Sequence, residues 1–323
     1  MDVTHLVLNA LGWLLLAPLL LGAQGYTVSR TGTFAPPQKP QQTVLLLQNA
    51  QNQRPIILFQ TKLRVNTDGS PRSYHPRDPR GAEKAINTVC NAIVVKRVGS
   101  IGNLCRTEFG TAIGVFERFR DSHYRNVPDG FTIAWENVLP AVTKRGRKVP
   151  CVFASGPFAG FFGSLTALKN GVADPGECQI GDQVNPLTVP ALVLAGGQNV
   201  LKEFGAALGD LVVAFDPKTT RVVSAIVGDT GPDDNLGEGS VFLNMALLGT
   251  TDPPKNRADT FRLSIEDTQV LIAILPATRS FQRVRPYTAA NIDVRVRQWQ
   301  QDSGFATADQ FLAVMKAFQP RLQ

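Results

Sequence analysis

The sequence contains no Cys-x-x-Cys pair, and past residue 25 only His75 and His123 could join its cysteines around a metal. Zinc-ligand spacing is therefore absent, and neither a metal nor another cofactor is expected. No internal repeat of fixed period runs along the chain, which excludes solenoids and propellers. Regular strand–helix–strand alternation is also missing, which argues against a doubly wound parallel sheet. Charged residues make up only 18% of the chain and are mostly dispersed. The one tight basic cluster, Lys144-Arg-Gly-Arg-Lys148, has no interleaved aromatics on which bases could stack. It reads as a solvated loop, and no nucleic-acid partner is expected.

What is present is an ordinary globular composition of 43% hydrophobic residues over 323 positions, enough for a substantial core. The 28 glycines and 22 prolines imply frequent turns and favour many short strands over long helices. Residues 6–23 form an uncharged apolar run containing Pro18, followed by Gln24-Gly25. Residues 1–25 thus read as a secretory signal peptide, or as a membrane anchor if uncleaved, with Asp2 where a basic residue is usual. A membrane contact is expected only in the uncleaved case. Export to an oxidising compartment makes two disulfides the plain reading of Cys90, Cys105, Cys151 and Cys178. Sequence order favours Cys90–Cys105 and Cys151–Cys178 among three pairings. The net charge of +7 suits attraction to anionic polymers, or simple solubility.

Residues 26–42, ending in Ala-Pro-Pro-Gln-Lys-Pro-Gln-Gln, read as a Pro/Gln-rich linker, and residues 43–323 as one domain. Short apolar runs at Thr43–Leu47, Pro55–Phe59, Lys62–Val65, Val189–Leu194, Leu211–Phe215, Val222–Val227 and Thr268–Leu275 predict strands. Asp216–Thr220 is a turn making a hairpin of two of them. Helices are expected over Gly81–Ala92, over Phe131–Val142, from Val241 to a stop at Gly249, and in two pieces split at Gly304 near the end. The fold class is mainly β with helices, α+β, as a monomer.

The stretch Ile226-Val-Gly-Asp-Thr-Gly-Pro-Asp-Asp-Asn-Leu-Gly-Glu-Gly-Ser240 sets Asp229 and Glu238 nine positions apart, with a glycine before each. Asp229 closes an apolar strand, so its carboxyl sits at the rim of a core. Glu238 precedes the expected helix, whose dipole would lower its pKa, while burial would raise that of Asp229. In structural terms the first caps a turn and the second a helix. In chemical terms they form the acid–base pair that glycoside hydrolysis needs, with Asp229 the acid and Glu238 the base. A calcium loop does not fit, because it needs ligands at alternate positions and a twelfth-position Glu, whereas Glu238 falls tenth from Asp229.

The segment Gly228–Ser240 resembles the active-site motif of the fungal chitosanase family, glycoside hydrolase family 75, in which a GDTxG element precedes a GEAS-like one. Here Gly239 stands where that family has Ala. Gly160–Leu168 is similar to the family's GYFVSxTSL-like strand, keeping Ser164 and Thr166, and Val189–Leu194 to its VPYIVLP-like strand. Asn66-Thr-Asp-Gly69 matches its DxDG loop with Asn66 in the first Asp position, leaving Asp68 as the candidate there. Tyr74-His-Pro-Arg-Asp78 resembles a loop of bacterial relatives. The resemblance covers roughly residues 60–280.

It implies a double-psi β-barrel-like core and a glycan cleft. It also implies endo-acting, inverting hydrolysis of β-1,4 amino-sugar bonds by Asp229 and Glu238. Asp68, Tyr74, His75, Asp78, Ser164, Thr166 and Asp233 are the substrate-binding candidates, with Tyr74 ranked first for exposure. His75 and Asp78 also read as ordinary loop and turn residues, and the phenylalanines at 153, 158, 161 and 162 as core. Chitosan, as a polycation, is at odds with a basic chain. Two rivals remain: a double-psi-barrel lytic transglycosylase acting on anionic peptidoglycan with Asp229 as sole acid, and a non-catalytic glycan-binding domain.

Overall fold

The computed structural model describes residues 25–52 and 54–323, so the leader lies outside the described residues. In chain order the first elements are β1 (Tyr26–Phe34), β2 (Gln42–Asn49), β3 (Ile56–Asn66), β4 (Ile93–Arg97), α1 (Leu104–Thr107) and α2 (Phe109–Asp121). Then come β5 (Phe131–Trp135), β6 (Ala141–Lys144), β7 (Arg147–Pro150), β8 (Ala191–Leu194), α3 (Val200–Glu203), β9 (Leu211–Asp216) and β10 (Arg221–Thr230). The last are β11 (Glu238–Ser240), α4 (Val241–Leu248), α5 (Arg257–Phe261), β12 (Ile265–Leu275), α6 (Ala289–Asp302) and α7 (Ala308–Phe318).

Six of these strands close into a barrel in the order β3-β11-β8-β10-β9-β12, with β12 returning to β3. The pairings β3–β11 and β8–β10 are parallel and the remaining four are antiparallel. The fold is thus α+β with a barrel-like core and helices. Strands β8 and β9 and the second half of β12 read as unbroken apolar runs because both of their faces are buried. Along β12, Leu271, Ala273 and Leu275 join one apolar layer while Val270, Ile272 and Ile274 join the other. Strand β9 divides in the same way, Leu211, Val213 and Phe215 against Val212 and Ala214. The first layer is completed by α6 and α7 through Ile292, Val296, Trp299, Phe311 and Val314.

A satellite core sits apart from these layers. Tyr74, Val89, Ile93, Val95, Leu104, Val115, Phe116 and Phe162 form it under the β4–β5 hairpin and α2. Both disulfides follow sequence order, Cys90–Cys105 and Cys151–Cys178, and Cys90 and Cys105 pack against this core. Among the described residues no helix is long and apolar enough to cross a membrane.

Three expected elements differ. Residues 26–34 are no linker but a strand, β1, paired antiparallel with β2 along its length. Tyr26 and Phe34 anchor its two ends by burial while most residues between them face solvent, which hides the strand in a polar composition. Phe131–Trp135 is a strand, because Phe131, Ile133 and Trp135 alternate at period two and pack on the satellite core. Gly81–Ala92 holds only a single 3-10 turn at Val89–Asn91. The N–H groups of Ala82, Glu83, Lys84 and Ala85 are instead taken by the Asp78 carboxylate, which replaces the helical ladder.

Candidate functional site

The site is built on β8 and its two neighbours. Val193 pairs in register with Asp229 of β10 on one side and with Glu238 of β11 on the other. A register shift between Val227 and Asp229 takes Gly228 out of the pairing and sets Asp229 against Val193. Such a bulge re-aims a side chain at a sheet rim. Gly228 is required there, since a Cβ would come within 2.8 Å of the Ala191 Cβ. Glycine is equally needed at Gly237, which has φ +97° and lies directly against the Lys62 carbonyl.

Asp229 is half-buried, and its Oδ1 accepts the backbone N–H groups of Ala167 (2.8 Å) and Thr230 (2.9 Å). Burial pushes its pKa up to about 6, against the pull of those donors, of Lys169 and of the Asn66 side chain. Asn66 also accepts the Asp68 N–H at 2.6 Å, so one side chain ties the loop after β3 to Asp229.

Glu238 is half-buried as well, and its Oε1 accepts from the Asn235 amide. Its pKa is raised by burial, lowered by Asn235 and raised again by the charge of Asp229, with Arg64 and Lys39 pulling down. The expected lowering by a helix N-terminus is overturned, because Glu238 lies in β11. Helix α4 begins at Val241, and its N-cap is Ser240, whose Oγ accepts from the Leu243 N–H at 3.1 Å. The expected stop at Gly249 holds, with φ +73°.

A third carboxyl, Asp68, faces the same pair. Its Oδ1 accepts from the Tyr74 hydroxyl at 2.5 Å and from the Asn91 amide at 3.4 Å, and that amide also donates to Tyr74 at 2.7 Å. Burial raises Asp68 to about 7, the Tyr74 hydrogen bond opposing and the charges of Asp229 and Glu238 adding. Asn66, Asp68, Val193 and Asp229 line one small hollow.

Of the other candidates, Thr166 lines the same hollow as Asp68 and Asp229, and the rest do not. Tyr74 is fully buried rather than exposed: its ring packs in the satellite core, and only its hydroxyl reaches Asp68. His75 is buried, its ring edge-on to Phe161 at 4.7 Å between centroids and its Nδ1 accepting from the Arg77 N–H. Burial, then the positive charge of Lys84, lowers its pKa. Asp78 organises its own loop, as its reading as a turn former implies. Ser164 accepts the Gly69 N–H at 2.9 Å and Thr166 accepts that of Val184 at 3.1 Å, so both pin loops that carry Asp68 and Ala167. Asp233 is exposed and lies against Gly196 and Gly197. Of the phenylalanines, Phe161 and Phe162 are buried while Phe153 and Phe158 remain half-exposed.

Sequence reasoning missed Asn66 as a bridge, Asn91, Asn235 and Lys39. Lys39, in the segment between β1 and β2, holds both the Asp234 carboxylate and the Asp234 carbonyl at 2.8 Å. The segment read as a linker therefore clasps the turn that carries Asn235. No protein-family model matches the chain, and no curated protein matches it either.

Proposed function

We propose that this protein is an exported, endo-acting polysaccharide hydrolase of chitosanase-like chemistry, cleaving β-1,4 amino-sugar bonds with inversion. One observation carries the reading: Asp229 and Glu238 stand opposite the same residue, Val193, from its two flanking strands. Neighbouring strands lie about 4.8 Å apart, so the two backbones are roughly 10 Å apart. Carboxyls projecting from such positions suit the separation of about 6.5–9.5 Å that leaves room for a water between base and sugar. The motif resemblance and the two disulfides, which fit an oxidising compartment, support the same reading.

In this mechanism Asp229, held protonated by burial, gives its proton to the glycosidic oxygen as the bond to the anomeric carbon breaks. Glu238, ionised, takes a proton from a water that attacks that carbon from the opposite face. Asn235 and Arg64 favour the ionised form of Glu238. The net change is addition of one water, and the new reducing end has the inverted anomeric configuration. Asp68 sits beside the pair as a third, proton-bearing carboxyl.

The test is a reducing-sugar assay on chitosan, chitin, glucan and peptidoglycan with Asp229→Asn and Glu238→Gln alongside. Loss of activity in both variants supports the two-carboxylate reading, and retained activity in both removes it. Loss in Asp229→Asn alone, with an anhydro-sugar product, would give the site to a single-acid transglycosylase. Binding with no reducing-end release would make the chain a glycan-binding domain.

A further inference from the structure

A groove of about 560 Å³ is lined in part by Arg64, Asn235 and Gly237, which are the register partner, hydrogen-bond partner and chain neighbour of Glu238. Its floor comes from the period-two pattern of β3. Thr61, Leu63 and Val65 turn inward and are buried, while Gln60, Lys62 and Arg64 point out. The stripe runs toward the catalytic pair, since Arg64 is the register partner of Glu238. Gln42 of β2 and Gln269 of β12 extend it sideways. Lys39 forms the wall where it clasps Asp234.

The charges along this groove are unevenly matched. Lys39 is paired with Asp234. Arg64 acts on the Glu238 carboxylate only through its charge, and its one salt bridge among the described residues is to Glu266 at 3.7 Å, with both side chains more than half exposed, an ion pair of little strength. Lys62 is exposed and has no carboxylate partner among the described residues. Amide side chains both donate and accept, which suits sugar hydroxyls and acetamido groups. Guanidinium and ammonium groups suit carboxylates, arginine in a two-pronged fork. The cleft is therefore bipolar: three carboxyls at the reacting centre, cations and amides on the Glu238 side.

We infer that the groove along Gln60, Lys62 and Arg64 is a run of substrate subsites for a hexosamine polymer carrying carboxylates. This rests on the hydrolase reading and names its substrate class. A fully deacetylated, polycationic chain would set its ammonium groups against Lys62 and Arg64. A carboxylate-bearing chain meets them favourably and also matches the net charge of +7.

The test uses the full chain as Asp229→Asn, with calorimetric titration of three β-1,4 pentamers: glucosamine, N-acetylglucosamine, and N-acetylglucosamine oxidised to the carboxylate at C6. At low salt the carboxylated pentamer should bind at least about tenfold more tightly than the glucosamine pentamer, and 0.5 M salt should erode that preference. Adding Lys62→Glu, an exposed change, should weaken the carboxylated pentamer about fivefold and leave the neutral one within about twofold. Equal or tighter binding of the glucosamine pentamer, no binding of any pentamer, or no effect of Lys62→Glu overturns the inference. The wild-type chain is assayed for hydrolysis of the same three. A binding preference without hydrolysis would sink the hydrolase reading alone, and hydrolysis without the preference would sink the subsite inference alone.

Discussion

Asp229 and Glu238 share one register partner, Val193, although they arrive on strands of opposite direction relative to β8. The parallel pairing of β10 and the antiparallel pairing of β11 converge there, and the bulge at Gly228 corrects the register by one residue. The eight residues between the two acids carry the chain across β8. Their glycines are consumed by close approaches. A Cβ on Gly231 would meet Val193 at 3.1 Å and the Glu238 carboxylate at 3.5 Å.

The first prediction concerns the pH dependence of rate. Under the proposed hydrolysis Asp229 serves as the acid only while protonated, so kcat/KM should fall as pH rises past about 6. On the same reading Glu238 serves only while ionised, and its pKa lies above the ordinary glutamate value, so the rate should also fall on the acid side. The profile should be a narrow bell with a mildly acidic optimum, and its two limbs belong to the coupled pair rather than to single residues. Asp229→Asn and Glu238→Gln should each lower kcat by about 10²–10⁴-fold, the worth of a general acid or base. A plateau extending through pH 8 would rule out Asp229 as the acid.

Stability should respond to the same carboxyls with a defined sign. Asp68 and Asp229 are raised in the folded state, to about 7 and about 6 from 3.8. Folding therefore favours their protonated forms, and that contribution is full below about pH 4. It is lost as pH rises through 6 for Asp229 and 7 for Asp68. Asp68→Asn keeps the shape and can still accept from Tyr74, but carries no charge. Denaturant unfolding at pH 8 should find it more stable than wild type by about 1–2 kcal/mol, and at pH 4.5 no more stable. Equal stability differences at both pH values would contradict the assigned direction.

The central barrel strands were legible because burial on both faces writes apolar runs, as at Leu211–Phe215 and in β12 from Val270 onward. The carboxylate pair was legible because its glycines mark close backbone approaches. Strand β1 was not, since only Tyr26 and Phe34 at its ends are firmly buried. The exposure of Tyr74 was misjudged for a different reason. Its ring is covered by residues from Val89 to Phe162 that assemble only once the satellite core forms. The Asp78 loop shows the same limit: Ala82, Ala85, Ile86 and Val89 have helical spacing, yet one carboxylate five residues upstream of Glu83 outcompetes the ladder.

That carboxylate gives a third prediction. Burial alone would raise the Asp78 pKa, but four backbone donors hold it below the ordinary value. Asp78→Ala leaves those N–H groups without their acceptor and should cost about 2–4 kcal/mol in denaturant unfolding. Its contribution is present above the ordinary aspartate pKa and lost as pH falls through the lowered folded value. The deficit of Asp78→Ala should thus be full at pH 7 and shrink only as pH falls below the ordinary aspartate range. If Asp78 touched sugar instead, the variant would unfold normally and lose binding.

The last prediction separates backbone strain from close contact at Gly237, the residue before Glu238. It adopts φ +97°, and an added Cβ would overlap the Lys62 carbonyl and lie 2.6 Å from the Thr61 hydroxyl. Gly146 has φ +75° with nothing within 4 Å of such a Cβ. Gly146→Ala should therefore cost only the left-handed penalty, about 1–2 kcal/mol, with kcat unchanged. Gly237→Ala adds a collision with β3, and the relief available is to push β11 away from it. That would shift Glu238 from its place beside Val193, and a displacement of about 1 Å can cost roughly a hundredfold in rate. Steady-state kinetics on both variants, with circular dichroism to confirm folding, should show the rate loss in Gly237→Ala alone. Equal kinetics in the two would mean that the position of Glu238 does not depend on the contact between Gly237 and Lys62.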